Sequence, residues 1–448
     1  MTLRPWTAGR AGRLPVARLR VVGWGLYAAY AVLLATLTTL STHRVWGAAA
    51  AVGYGLAALL AAGRARLPRW VPGAVAALGS TVVPLVLLGT GRAQSEVRVV
   101  EDAAAQLLRT GSPYVPEPGQ LSEYNPYLPG MTVFGLPRAL FGDAAWTDAR
   151  WWFAAGFTAA AFAAVRVMRT PVPGHPGAQG EPLGRPTGSL PVLLHLLACP
   201  VVALPLAVGG IDLPVVGLIC LGLAHAGRAQ AGRAGVFLGL AAVLKWTAWP
   251  AVPVAVALLA AGAVLRRRTA LPGADAPPGG PGERDGTSAV LRCLAATTAI
   301  AAAGVLPVAV ADGAALFRHA VLFPLGMTDV PSPATSPLPG RLLASASPVG
   351  ATVALVVLAV AALMMAASLV VRPPLTASAA AARLALGLSL AFCLAPATRF
   401  GYFVYPWVLL MCCRPGRRED RRASLPVLRG PRAARPSHGP DLPATVRV

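Results

Sequence analysis

Apolar runs of roughly 17–25 residues, the length that carries a helix across a ~30 Å hydrocarbon layer, recur along this chain from end to end. A soluble core can absorb one or two such segments, but not a succession of them. The runs place spans near residues 21–41, 47–63, 71–90, 145–167, 189–208, 212–227, 234–244, 247–265, 289–311, 349–371, 377–395 and 400–413. Charged residues make up 12% of the 448 and hydrophobic ones 56%, where a soluble domain usually has about 25% charged. The expectation is an all-α polytopic membrane protein of about 12 transmembrane or re-entrant helices. Nothing repeats at a fixed period, so neither a solenoid nor an inverted-repeat transporter is indicated.

The formal charge of +22 would suggest a polyanionic partner in a soluble protein. Its distribution explains it without nucleic acid. Arg4, Arg10, Arg13, Arg18 and Arg20 crowd the N-terminus, further arginines fill the tail from Arg414, and others fall in alternate connections, as the positive-inside bias requires. With the N-terminus cytoplasmic, the whole net charge falls on the cytoplasmic side and the outer side is balanced. Residues 1–20 then form a basic cytoplasmic N-terminus, 21–413 the membrane body and 414–448 a basic cytoplasmic tail. The run from Val21 is too long for a signal-peptide core and is expected to stay as the first span. The segment 234–244 is too short to cross alone. Arg233 before it and Arg266 to Arg268 after the next helix belong on one side, so 234–265 reads as a hairpin with the tip Lys245-Trp246-Thr247-Ala248-Trp249-Pro250 outside. The Pro/Gly-rich stretches 170–188, 269–287 and 414–448 are expected to be disordered. The six cysteines show no metal-ligand spacing and read as small core residues, with no metal expected.

Two long outer loops, 91–144 and 312–348, are rich in Pro and Tyr or in Pro and small residues, and are expected to be ordered. The stretch Val97 to Leu108 has the pattern of a helix lying along the bilayer surface. Lys245 is the only lysine in the chain and ends an otherwise apolar run; a charge so placed is a functional-site candidate, against the plainer reading of a lysine snorkelling from a hairpin tip. Glu96, Glu101 and Asp102 open the first outer loop, where a carboxylate can serve as general base, or simply be solvated. Arg399, Arg318 and His319 stand at outer mouths of spans. Converging with Lys245 on one cavity, they would suit a phosphate or diphosphate; singly, each would be an interfacial anchor. No Gly-rich phosphate loop, His/Glu zinc signature or Gly-x-Ser-x-Gly elbow occurs, so ATP-driven transport and the common hydrolases are not indicated.

Three patches together carry a resemblance: Glu96 through Pro113-Tyr114 to Tyr124-Asn125-Pro126, then Gly239-Leu240-Ala241-Ala242-Val243-Leu244-Lys245-Trp246-Thr247, then Arg399-Phe400-Gly401-Tyr402 leading to Tyr405-Pro406. In order and spacing the chain resembles glycosyltransferase family 87, membrane enzymes of the GT-C superfamily, over most of residues 90–410. The resemblance implies a GT-C-like fold and a polyprenyl-phosphate sugar donor. It also implies transfer with inversion of mannose or arabinofuranose to a glycolipid or cell-envelope polysaccharide acceptor at the cell membrane, with no cofactor. The family's base is an acid early in the first outer loop, with a tyrosine four residues on. The matching positions here are Glu96 and Val100, with Glu101 or Asp102 as alternatives. The leaving lipid phosphate would then meet Lys245 and Arg399, with Arg318 and His319 alongside, and Tyr114, Tyr124 and Tyr402 would border the substrate. A non-catalytic transporter or flippase of a lipid-linked anion, and an inactive relative with a structural role, are the other readings.

Overall fold

The computed structural model describes residues 16–63, 67–68, 70–89, 93–170, 189–269 and 281–414. The expected disordered tail and most of the two Pro/Gly-rich connectors lie outside them. Among the described residues seventeen α-helices follow one another. They are α1 (Val16–Leu37), α2 (Ser41–Ala62), α3 (Val71–Ala77), α4 (Val83–Leu88), α5 (Ser95–Thr110), α6 (Leu136–Phe141), α7 (Ala149–Arg169), α8 (Ser189–Leu197) and α9 (Pro200–Val208). After them come α10 (Asp212–Gly227), α11 (Ala231–Ala242), α12 (Ala251–Thr269), α13 (Pro281–Phe317), α14 (Pro339–Ala346), α15 (Pro348–Val371), α16 (Ala377–Leu394) and α17 (Val404–Cys412). Among the described residues the one β pairing is an isolated bridge between Thr335 and Thr398. Among the described residues, eight helical segments are long and apolar enough to cross a bilayer, and nine if the bent pair α8–α9 counts as one span. The chain is therefore an all-α polytopic membrane protein.

Each expected span meets helix, with shifted bounds. α1 begins at Val16, inside the segment expected to precede the first span. The expected span 189–208 is broken: Pro200 follows Cys199, whose backbone is extended, and the two halves bend by 64°. A residue before proline is driven from the helical region, and the proline has no N–H to continue the ladder. Residues 281–287, expected to be a disordered connector, instead form the start of α13. Pro281 suits that first position because its fixed φ is helical and its missing N–H would have no partner there. α13 also runs past the expected loop boundary to Phe317, kinking at Asp312.

α10 is buried on nearly every side (Leu213, Val215, Val216, Ile219, Leu223 and Ala224 among others), as a helix apolar all round must be. It forms the axis around which α7, α11, α16 and α17 pack. α11 lies parallel to α13 at very short range. Gly235 faces the backbone of Cys293, Gly239 faces Thr297 and Ile300, and Val243 meets Gly304; Thr297 seals the contact by donating its hydroxyl to the Gly235 carbonyl at 3.1 Å. Glycines four apart let two backbones approach where lipid supplies no hydrophobic drive. A Cβ on Gly235 would come within 2.3 Å of the Cys293 carbonyl oxygen, whereas one on Gly232 meets nothing within 4 Å. Gly235→Ala is accordingly expected to cost about 1–3 kcal/mol, read as a lower midpoint of thermal unfolding in detergent. Gly232→Ala is expected to be neutral or mildly stabilising.

Candidate functional site

At one end of the bundle the chain gathers charge from four distant places. Gly210, at φ 83°, turns the chain out of α9 so that Asp212 opens α10, where the helix dipole favours an acid. α11 stops two residues short of Lys245, whose own backbone is extended, and a 3-10 turn over Trp246–Ala248 leads into α12. Lys245 Nζ lies 2.6 Å from Asp212 Oδ1. The Tyr405 hydroxyl donates to the same oxygen at 2.8 Å and takes a hydrogen bond from Thr247 Oγ1 at 2.7 Å. The ammonium also stands over the rings of Tyr402 and Tyr127, 5.0 and 5.4 Å from their centroids, an attraction that grows as water is excluded. The side chains of Lys245 and Asp212 keep 12% and 21% of their exposure, so the pair is mostly, not wholly, buried.

A second ion pair joins Arg399, at the start of the 3-10 turn Phe400–Phe403, to Glu96 in the first turn of α5. The two pairs share a frame. Gln94 donates its backbone N–H to Val208 at 2.9 Å and packs on Gly209, bringing the start of α5 to the turn before Asp212. Within seven residues, Arg399 meets Glu96, Tyr402 meets Lys245 and Tyr405 meets Asp212. That segment is braced from behind: Thr398 N–H donates to Ala334, Ser336 N–H to Thr398, and Phe400 N–H to the Ser336 hydroxyl.

The remaining predicted residues hold the two long loops. Glu101 is buried; one oxygen accepts from the Ala149 N–H at 3.0 Å, capping α7, and the other lies 3.4 Å from Arg138. Burial pushes its carboxyl above the ordinary range, against the pull of the Ala149 N–H and Arg138. Asp102 is exposed on α5 and makes no hydrogen bond or ion pair among the described residues. His319, fully buried, donates from Nε2 to the Val115 carbonyl at 2.7 Å and accepts the Asn125 N–H on Nδ1 at 3.0 Å, while Arg318 donates to the Pro116 carbonyl. Tyr114 stacks beside His319 and donates to the Tyr127 carbonyl, and Tyr124 stacks on Phe323 at 4.3 Å. Together they clamp 113–127, and Leu128 and Gly130 donate their N–H groups to Leu244 and Val243, lacing the loop to the hairpin tip. Of the four cations expected at a phosphate, the structure thus joins Lys245 and Arg399 through one segment and uses Arg318 and His319 as loop anchors.

Asp212, Thr247, Tyr127 and Tyr405 complete the cluster and were not singled out from sequence as site residues. Asp212 had a readable signal: a lone acid within the apolar stretch 189–227 falls under the same rule that marked Lys245. A further buried group, Arg150, forks onto Asp148 at 2.7–3.2 Å and donates to the carbonyls of Ala207 and Gly89, tying α4, α7 and α9 together at this end.

Removing one member of the Asp212–Lys245 pair leaves the other poorly solvated. Asp212→Ala or Lys245→Ala alone is expected to cost about 2 kcal/mol, less than a fully buried pair because both groups keep some exposure. The double change Asp212→Leu with Lys245→Met is expected to recover most of that loss, as thermal unfolding of the four proteins in detergent would show. No family model, curated protein or solved structure matches the chain.

Proposed function

We propose that this protein is a glycosyltransferase of GT-C type. It would move a sugar, mannose or arabinofuranose, from a polyprenyl-phosphate donor to a glycolipid or polysaccharide acceptor on the outer face of the cell membrane. Both termini would be cytoplasmic, with the short apolar helices and the bent pair completing about a dozen membrane or re-entrant elements. The observation that supports the reading is the meeting of Glu96, Arg399, Lys245 and Asp212, far apart in sequence, along residues 399–405.

In this reading the two ion pairs are the resting state. An incoming donor phosphate competes with the carboxylates for Arg399 and Lys245, and its charge replaces theirs. Glu96, released from Arg399, becomes free to accept the proton of an acceptor hydroxyl. The oxygen attacks the anomeric carbon, the bond from that carbon to the phosphate oxygen breaks, and configuration inverts. The leaving phosphate departs with its charge balanced by the two cations. Asp212 keeps Lys245 oriented until the phosphate arrives.

A second reading, a transporter or flippase of a lipid-linked anion, draws on the broken pair α8–α9, since interrupted helices commonly border transport sites. It needs the cations but no base. Membranes supplied with a labelled polyprenyl-phosphate sugar separate the two. Glu96→Gln is expected to lower transfer at least ~100-fold at equal expression, and Arg399→Ala to lower it as well. Undiminished transfer by Glu96→Gln, Glu101→Gln and Asp102→Asn, each tested singly, would remove the base assignment.

A further inference from the structure

At the opposite end of the bundle a recess of about 120 Å³ opens between the first turns of α1, the last turn of α2, the start of α3 and α8. Its polar walls are Arg20 and His195, and its other walls include Trp24, Leu60, Leu67 and Pro72, with no acid among its lining residues. The volume holds several water-sized groups, enough for a phosphodiester. The floor is rigid: Trp24 is buried, lies parallel to Tyr54 and packs on His195 with ring centroids 5.1 Å apart. His195 gives Nδ1 to the Pro191 carbonyl at 2.9 Å, which fixes the ring and leaves Nε2 without a partner among the described residues. Arg20 has no ion pair among the described residues.

Beside this recess the surface turns apolar. Leu19, Val22, Leu26 and Leu33 on α1 are each more than half exposed, and Leu59 on α2 is 69% exposed. A guanidinium and an imidazole at the head of an apolar track match a lipid better than a free ion, which would leave the track unused. Basic pockets between membrane helices are recognised sites for anionic headgroups. We infer that the recess between α1, α2, α3 and α8 binds the phosphate headgroup of an anionic phospholipid, with the acyl chains lying along the exposed faces of α1 and α2. The site is separate from the charge cluster of the proposed reaction and does not depend on it.

Native mass spectrometry of the full chain in detergent, titrated with phosphatidylglycerol or phosphatidylcholine, tests this. Phosphatidylglycerol is expected to bind more tightly than phosphatidylcholine. Arg20→Gln with His195→Leu is expected to weaken it at least about tenfold, through loss of a charge-assisted hydrogen bond from the guanidinium and a weaker one from the imidazole. Arg20→Lys should keep most of the affinity. Arg233→Gln, a basic change on another helix, should leave it unaltered, and excess inorganic phosphate should not displace the lipid. Equal binding of the two lipids by the unaltered protein overturns the proposal without reference to any variant. So does full affinity in the double variant, or a matching loss in Arg233→Gln. Displacement by inorganic phosphate would reassign the recess to the free ion and overturn the lipid as its occupant.

Discussion

A single carboxylate oxygen, Asp212 Oδ1, receives both the Lys245 ammonium and the Tyr405 hydroxyl. Either charge alone at the edge of a hydrocarbon slab costs at least a few kcal/mol, and each makes the other's partial burial tolerable. The net gain from such a pair is modest; its larger effect is on placement. Neither charge can be accommodated until the first turn of α10, the α11–α12 tip and the start of α17 have converged. The Gly235–Cys293 approach sets where α11 lies along α13, and so where Lys245 is presented. Packing deep in the bundle thus determines the geometry of a polar cluster at its end.

Residues 399–405 extend that dependence to the second ion pair. Arg399 and Tyr405 sit on one short 3-10 turn and the helix that follows it, so a shift that frees Glu96 also moves the hydroxyl that steadies Asp212. The hydrogen bonds that Thr398 and Phe400 make with Ala334 and Ser336 restrain such a shift from the second long loop. Both long loops therefore bear on the same few side chains, one through Tyr127 and Leu128, the other through its bonds to Thr398.

Much of this was legible in the sequence, for identifiable reasons. Helix positions followed from apolar run length, which the bilayer fixes, and the amphipathic pattern of 97–108 falls within the helix α5. Lys245 stood out as a lone charge closing an apolar run. Its partner did not, because Asp212 lies in the short Gly209–Asp212 turn between two apolar helices and not in a long loop, although the same cost argument applies there. What periodicity could not separate was Glu96 from Glu101. They sit on one helix five residues apart, but Glu101 faces the α7 N-terminus and Arg138 while Glu96 faces Arg399. Only the tertiary neighbour decides which acid caps a helix and which pairs with Arg399. His319 and Arg318 were ambiguous in the same way: a cation near a loop can bind a ligand or the loop itself, and here their hydrogen bonds go to backbone carbonyls at 115 and 116.

The shortness of α11 has a consequence for depth. Its 12 residues rise about 18 Å, well under the ~30 Å of a hydrocarbon layer, and tilting only reduces that rise. In the proposed topology, with the first turn that carries Arg233 at one interface, the lysine after its far end would stand below the opposite edge of the slab. In the proposed reaction, a donor headgroup tethered to a prenyl chain would then meet this cation by sinking toward it from the surface, without leaving the bilayer for water. The acceptor hydroxyl would have to descend to the same level, so depth itself would sort acceptors by how far below the headgroup plane their hydroxyls can reach.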